Sequence, residues 1–180
     1  MSTLRVDSIR GQTADGTNRY IVQIKSTTKT DTFSTTSTSQ VDVTGFNVTI
    51  TPSSSSHKIL ITGRMPFGRD NNNTGASMRL LRTVGGTSTE IGSGDASGDN
   101  RPSDMMELST QNANNLNEAG INFLDTPSTT SSITYQVQIK SRDGSEVAVN
   151  RTGDNSNQVY NVLTSSTITV MEIAQWVHYQ

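Results

Sequence analysis

His57 and His178 are the two imidazoles of the chain, and no cysteine accompanies them. They stand in unrelated contexts. His57 follows Ser53-Ser54-Ser55-Ser56, and His178 lies in the terminal Trp176-Val177-His178-Tyr179-Gln180. Zinc sites group their ligands in recognisable local pairs, and neither histidine has a carboxylate at ligand spacing. Without cysteine there is no thiolate catalysis, disulfide or zinc–thiolate centre. A serine nucleophile needs a base in reach, and the chain contains no nucleophile-elbow pattern. Glu90, Asp95, Asp99, Asp104 and Glu107 cluster in sequence. They are the one set that could flank a glycosidic bond as acid and base. Acidic residues in such loops are more often turn formers. The reading is therefore no catalytic residue, no metal and no cofactor.

Three loops rich in Asn, Asp and Gly offer binding chemistry instead: 69–75, 93–100 and 151–157. The first opens like a calcium loop, with Asp70 and Asn72 alternating and Gly75 in sixth place. Its twelfth place is Leu81 rather than glutamate, so it is not an EF-hand. Asx and Gly residues accommodate left-handed turn geometry, which accounts for such loops without a ligand. As ligand candidates we take Arg69, Asp70, Asn72, Asp99 and Asp154, because amides, hydroxyls and an arginine suit a polar, sugar-like molecule. At the C-terminus, Trp176 and Tyr179 are interface candidates, aromatic rings with a polar handle. The alternative is a tail that caps its own domain.

The elements that must carry these loops are strands. Apolar residues recur at a spacing of two in Tyr20/Val22/Ile24, Val41/Val43, Phe46/Val48/Ile50, Ile59/Ile61 and Ile133/Tyr135/Val137/Ile139. That is the period of a half-buried strand. Gly45 reads as a bulge, Lys58-Ile59-Leu60-Ile61-Thr62-Gly63 as a central strand buried on both faces, and Val84-Gly85-Gly86-Thr87 as a hairpin turn. Further strands are expected at 105–110, 120–124 and 167–174. Val147 and Val149 read as the hairpin partner of 133–140, and Tyr160 and Val162 as a short strand. No convincing helix is found. The expected fold is all-β, an antiparallel two-sheet sandwich of jelly-roll type. Residues 1–19 read as an arm with Leu4, Val6 and Ile9 as its only apolar anchors, 20–175 as the sandwich, and 176–180 as an aromatic tail.

Composition supports this. Ser and Thr supply 51 of the 180 residues, and 31% of the chain is hydrophobic. Disordered chains with so little apolar content usually carry high net charge and few β-branched residues, whereas net charge here is −2. Thin polar sheets of this kind fit an oligomer, in which neighbours supply buried surface. With no basic cluster, no nucleic-acid partner is expected. No apolar run approaches the roughly 20 residues needed to cross a bilayer, so no membrane insertion is expected. The N-terminus lacks the apolar core of a secretion signal, so export by that route is not expected.

Met-Ser-Thr-Leu-Arg-Val-Asp-Ser-Ile-Arg-Gly at the start, then TDTFSTTSTSQVDVTGFNVTITPSSSSHKILITG over 30–63, resemble virion structural proteins of tailed bacteriophages. The likeness is to marine and cyanophage-like tail-fibre or fibre-like proteins. It covers 1–63 and the final TITVMEIA, while 64–165 shares only a general pattern of strands and loops. The resemblance implies a homotrimer on the virion exterior, at tail or capsid surface, attached to other virion proteins through the N-terminal arm. The chain lacks a long repetitive shaft. That points to a compact short tail fibre, adaptor or capsid decoration protein rather than a full-length fibre. The alternatives are a module that binds host-surface glycan through the loops around Asp70, Asp99 and Asp154, and a glycan-cleaving enzyme.

Overall fold

The computed structural model describes residues 18–70, 75–95 and 104–176. The candidates Leu4, Val6, Ile9, Asn72, Asp99 and Tyr179 lie outside those residues. Eleven strands occur in chain order, and among the described residues there is no helix. They are β1 (Asn18–Lys29), β2 (Phe33–Thr35), β3 (Val41–Ile50), β4 (Lys58–Arg69), β5 (Ala76–Val84), β6 (Thr87–Ile91), β7 (Met106–Leu108), β8 (Asn117–Asp125), β9 (Ile133–Ser141), β10 (Val147–Val149) and β11 (Ser166–Trp176).

Two antiparallel sheets form a sandwich. In the first, β4 pairs β8 along one edge; its other edge pairs first β11 and then β10. β1 flanks β11, and β2 flanks β10. In the second, β3 pairs β9, β9 pairs β5, and the far edge of β5 pairs β6 and then β7. Strands that continue one line count as one rank: β1 with β2, β6 with β7, β10 with β11. The eight ranks in chain order then run 1-8-3-6 in the first sheet and 2-7-4-5 in the second, the arrangement of a jelly roll.

The core lies between the sheets and follows the period of two. β9 buries Ile133, Tyr135, Val137 and Ile139, and β4 buries Ile59 and Ile61 opposite them. Burial at every second residue means that one face of β9, and of the first half of β4, meets the core while the other is more exposed. Inside this core the Tyr135 hydroxyl donates to Asp125 Oδ2 at 2.7 Å, and Arg82 donates to Asp125 Oδ1 at 2.8 Å. Burial and the neighbouring carboxylate push the Tyr135 phenol well above its ordinary range. The expected turn at Gly85-Gly86 joins β5 to β6, both glycines having positive φ (56° and 83°), as a two-residue hairpin loop requires.

Four local expectations are corrected. Val147 and Val149 do not pair with β9; β10 crosses to the first sheet, between β4 and β2, where all its side chains are buried. Tyr160 and Val162 form no strand, and that segment contributes only an isolated bridge, Arg151 to Leu163. β4 is central but not buried on both faces, since Leu60 and Thr62 are only half-buried on its outer side. In β1 a bulge between Ile21 and Gln23 breaks the alternation. Ile21 and Ile24 consequently face the same way, opposite Ile173 and Met171.

Candidate functional site

The longest irregular stretch among the described residues, 150–165, leaves β10 and returns as β11 at the end of the sandwich that holds the last residues of β4. Its root is Asn150, fully buried and at φ 65°. The side-chain amide donates to the carbonyls of Lys29 and Asp31, each at 2.9 Å, and its oxygen accepts from Ser166 Oγ at 2.6 Å. Its backbone N–H reaches Pro66 O, and its carbonyl accepts from Thr164 N. One asparagine thus ties the β1–β2 bend, β4, and both ends of the excursion together. Asparagine is among the few non-glycine residues that tolerate this left-handed conformation.

The excursion then presses on β4. A Cβ at Gly153 would overlap the Arg69 carbonyl, and one at Gly68 would overlap the backbone of Arg151 and Gly153. Replacing Gly153 by alanine should destabilise the fold by about 3 kcal/mol or more, since the obstacle is backbone that must shift. Denaturant unfolding measures this, and an unchanged midpoint would contradict the close approach.

Arg69 and Asp70 are thereby brought beside 151–154, although they lie far away in sequence. Their roles differ from the expectation. Arg69 is only 1% exposed and cannot read a ligand in solvent; Nη2 donates to Asp143 Oδ1 at 3.3 Å, while Nε and Nη1 have no hydrogen-bond partner. Asp70 is exposed, with its N–H on Glu146 O. Arg151 is also committed, to Glu146 and to the carbonyls of Thr152 and Gly153. Asp154 accepts from Ser156 N and Oγ, and these bonds hold its carboxyl below the usual range. Asp154 remains on the rim of a cleft of about 220 Å³ lined by Asn155, Asn157, Gln158, Asn161, Val162 and Leu163. Amides and short apolar surface with no uncommitted cation fit a neutral hydroxylated group.

At the opposite end lies a cluster that the sequence reading missed. Glu172 on β11 is fully buried, where a charge survives only if well partnered. Its Oε1 accepts from Ser53 N and Ser53 Oγ, each at 2.7 Å, and from His57 Nδ1 at 2.6 Å; Gln23 Nε2 donates to Oε2 at 2.6 Å. Burial opposes the charge, but these four donors outweigh it and hold the carboxyl down to about 2. Serine, histidine and glutamate meet here without forming a nucleophile relay. Ser53 donates to the carboxylate itself, and the ring nitrogen nearest Ser53, at 3.4 Å, is the one engaged with Glu172. A relay would require the hydroxyl on the opposite ring nitrogen. The cluster is a clasp that holds the β3–β4 turn to β1 and β11. Among the described residues no group of three or more His, Cys, Asp or Glu is placed to hold a metal. Nor is any helix there long and apolar enough to cross a membrane.

Among the described residues, two clusters of apolar side chains remain in solvent. One lies on the outer face of the first sheet, where the pairing aligns Ile24, Met171, Leu60 and Leu124 in a row across four strands. The other is the crest of the excursion, with Val159, Tyr160, Val162 and Leu163. Trp176 is placed at the end of β11, its backbone opposite Asn18.

No protein-family model and no curated protein matches the chain. Solved structures of infectious bursal disease virus do. The Gt strain structure shows 16% identity and a TM-score of 0.41, over 85% of this chain and 40% of that one. The Gx strain structure shows 18% identity and a TM-score of 0.37, over 97% and 45%. The VP2 subviral particle shows 16% identity and a TM-score of 0.39, over 85% and 40%. This chain spans less than half the length of each.

Proposed function

We propose that this chain is a non-enzymatic virion structural protein, a jelly-roll subunit of a homotrimer attached to other virion proteins by residues 1–19. Its place is the virion exterior, as a short tail fibre, adaptor or capsid decoration. The observation that carries the reading is β1. It is a twelve-residue edge strand that continues directly from the arm and exposes Ile21, Val22 and Ile24. A long, exposed apolar edge is a ready template for pairing with another chain. The resemblance of 1–63 to phage virion proteins supplies the setting. Leu4, Val6 and Ile9 are the proposed docking anchors, with Trp176 and Tyr179 as further interface residues. Particles assembled with a chain lacking residues 2–17 should lose the protein from the virion while the purified variant stays folded. Normal incorporation would overturn the assignment.

A second reading is favoured by the amide-lined cleft beside Asp154: a module binding host-surface glycan, with Asp70, Asn72 and Asp99 as further candidate contacts and Arg69 only as support. It predicts binding of the isolated protein to host polysaccharide, lost when 155–158 are replaced by glycine and serine.

A further inference from the structure

We propose that Arg69 holds a small monovalent anion, a halide such as chloride, buried with it at the end of the sandwich. The site is independent of the virion assignment.

Arg69 stands where an apolar side chain would be expected. Along β4, Ile59, Ile61, Met65 and Phe67 all belong to the core, and alternation places Arg69 on that same face. Val147, opposite it on β10, is a core residue as well. A guanidinium cannot relieve burial by losing its proton, as a lysine or histidine can. It needs charge and acceptors in place.

The described neighbours supply one contact, from Nη2 to Asp143 Oδ1 at 3.3 Å. That oxygen is shared, accepting also from Ser141 Oγ at 3.1 Å and Ser145 N at 2.9 Å. The Asp143 side chain is 24% exposed, so water screens part of its charge. Nε and Nη1 have no hydrogen-bond partner. The other carboxylates at this end do not answer them: Glu146 is taken by Arg151, Glu107 by Arg142 and Asp154 by Ser156, and Asp70 is exposed. A further buried donor without a partner is Thr110 Oγ1. Leu108 lies opposite Ala76 and Ala76 opposite Ser141, which puts Thr110, two residues on, at the same end. Native interiors rarely leave such donors unanswered, least of all on a cation.

Burial and charge choose the ligand. At 1% exposure Arg69 admits no group that stays attached to a larger body, which excludes a partner's carboxylate or an acidic sugar. Sulfate or phosphate would bring four oxygens to these few donors. A halide is one atom, accepts from any direction and carries a single negative charge.

Urea unfolding of the full chain tests this without adding chloride. Sodium chloride is varied against sodium gluconate at constant ionic strength. Above the dissociation constant of the ion, each tenfold rise in chloride should raise the ratio of folded to unfolded chain about tenfold. Arg69→Met keeps an unbranched stem and removes the charge, and its stability should not depend on chloride. An equal response in that variant, or none in the unmodified chain, overturns the proposal. Crystals of the unmodified chain grown in sodium bromide give a readout that does not require the variant to fold. Anomalous scattering should place bromide against the Arg69 guanidinium. Bromide on the exterior alone, an adventitious ion only, overturns the site.

Discussion

Replacing Asn150 by alanine is expected to destabilise the protein by about 3–5 kcal/mol, a large part of the 5–15 kcal/mol that holds a domain folded. Three side-chain hydrogen bonds disappear at a fully buried position, leaving the Lys29 and Asp31 carbonyls and the Ser166 hydroxyl without that partner. Each buried polar group so abandoned costs about 1–3 kcal/mol. Alanine at φ 65° adds about 1 kcal/mol more. Asn150→Gly removes the conformational cost and keeps the hydrogen-bond cost, so it should recover only the smaller share. Denaturant unfolding of both variants separates the two contributions. If glycine restored full stability, the side-chain bonds would be irrelevant. Proteolysis offers a second readout, since the released excursion should be cleaved within 155–163 before the sheets are.

The second large effect lies at the other end. Glu172→Ala should destabilise by about 3–5 kcal/mol, because four donors converge on that carboxylate and lose their acceptor together. Its pH dependence has a definite sign. The folded carboxyl titrates near 2, below its ordinary 4.5, so the unfolded chain takes up the proton first as pH falls. The stabilisation is complete above about pH 5 and is lost progressively down to about pH 2. Glu172→Gln keeps the shape and removes the titration. It should lower stability at neutral pH and flatten the acid limb of the stability curve. An acid limb identical to that of the unmodified chain would rule out Glu172 as its source.

The parts of this architecture that were legible in the sequence are those set by local alternation. The Ile133–Ile139 pattern defined β9, Gly85-Gly86 defined the β5–β6 turn, and Gly45 with φ 76° marks the irregular centre of β3. What escaped was everything decided by a distant partner. Val147 and Val149 alternate as a hairpin partner of β9 would, and nothing local says that the chain instead crosses to the other sheet. In β1 the period of two assigned Val22 and Ile24 to one face. The bulge, which depends on register against β11, put Ile21 with Ile24. The Glu172 clasp joins residues more than a hundred positions apart, and a lone Glu inside TITVMEIA carries no mark of it. Its turn-forming neighbours make Arg69 read as a ligand group, yet it is the buried last residue of β4, its backbone carbonyl pressed against Gly153.

The position of β11 between β1 and β4 has a consequence for synthesis. β1 emerges from the ribosome first and β11 last, so the earliest strand waits for nearly the whole chain before its neighbour exists. Until then β1 and one edge of β4 are open to any other strand. A chain stopped before residue 166 cannot complete the first sheet at all, and its exposed edges invite pairing between nascent copies. The first sheet therefore closes only once β11 has been made and the two ends of the sandwich can meet.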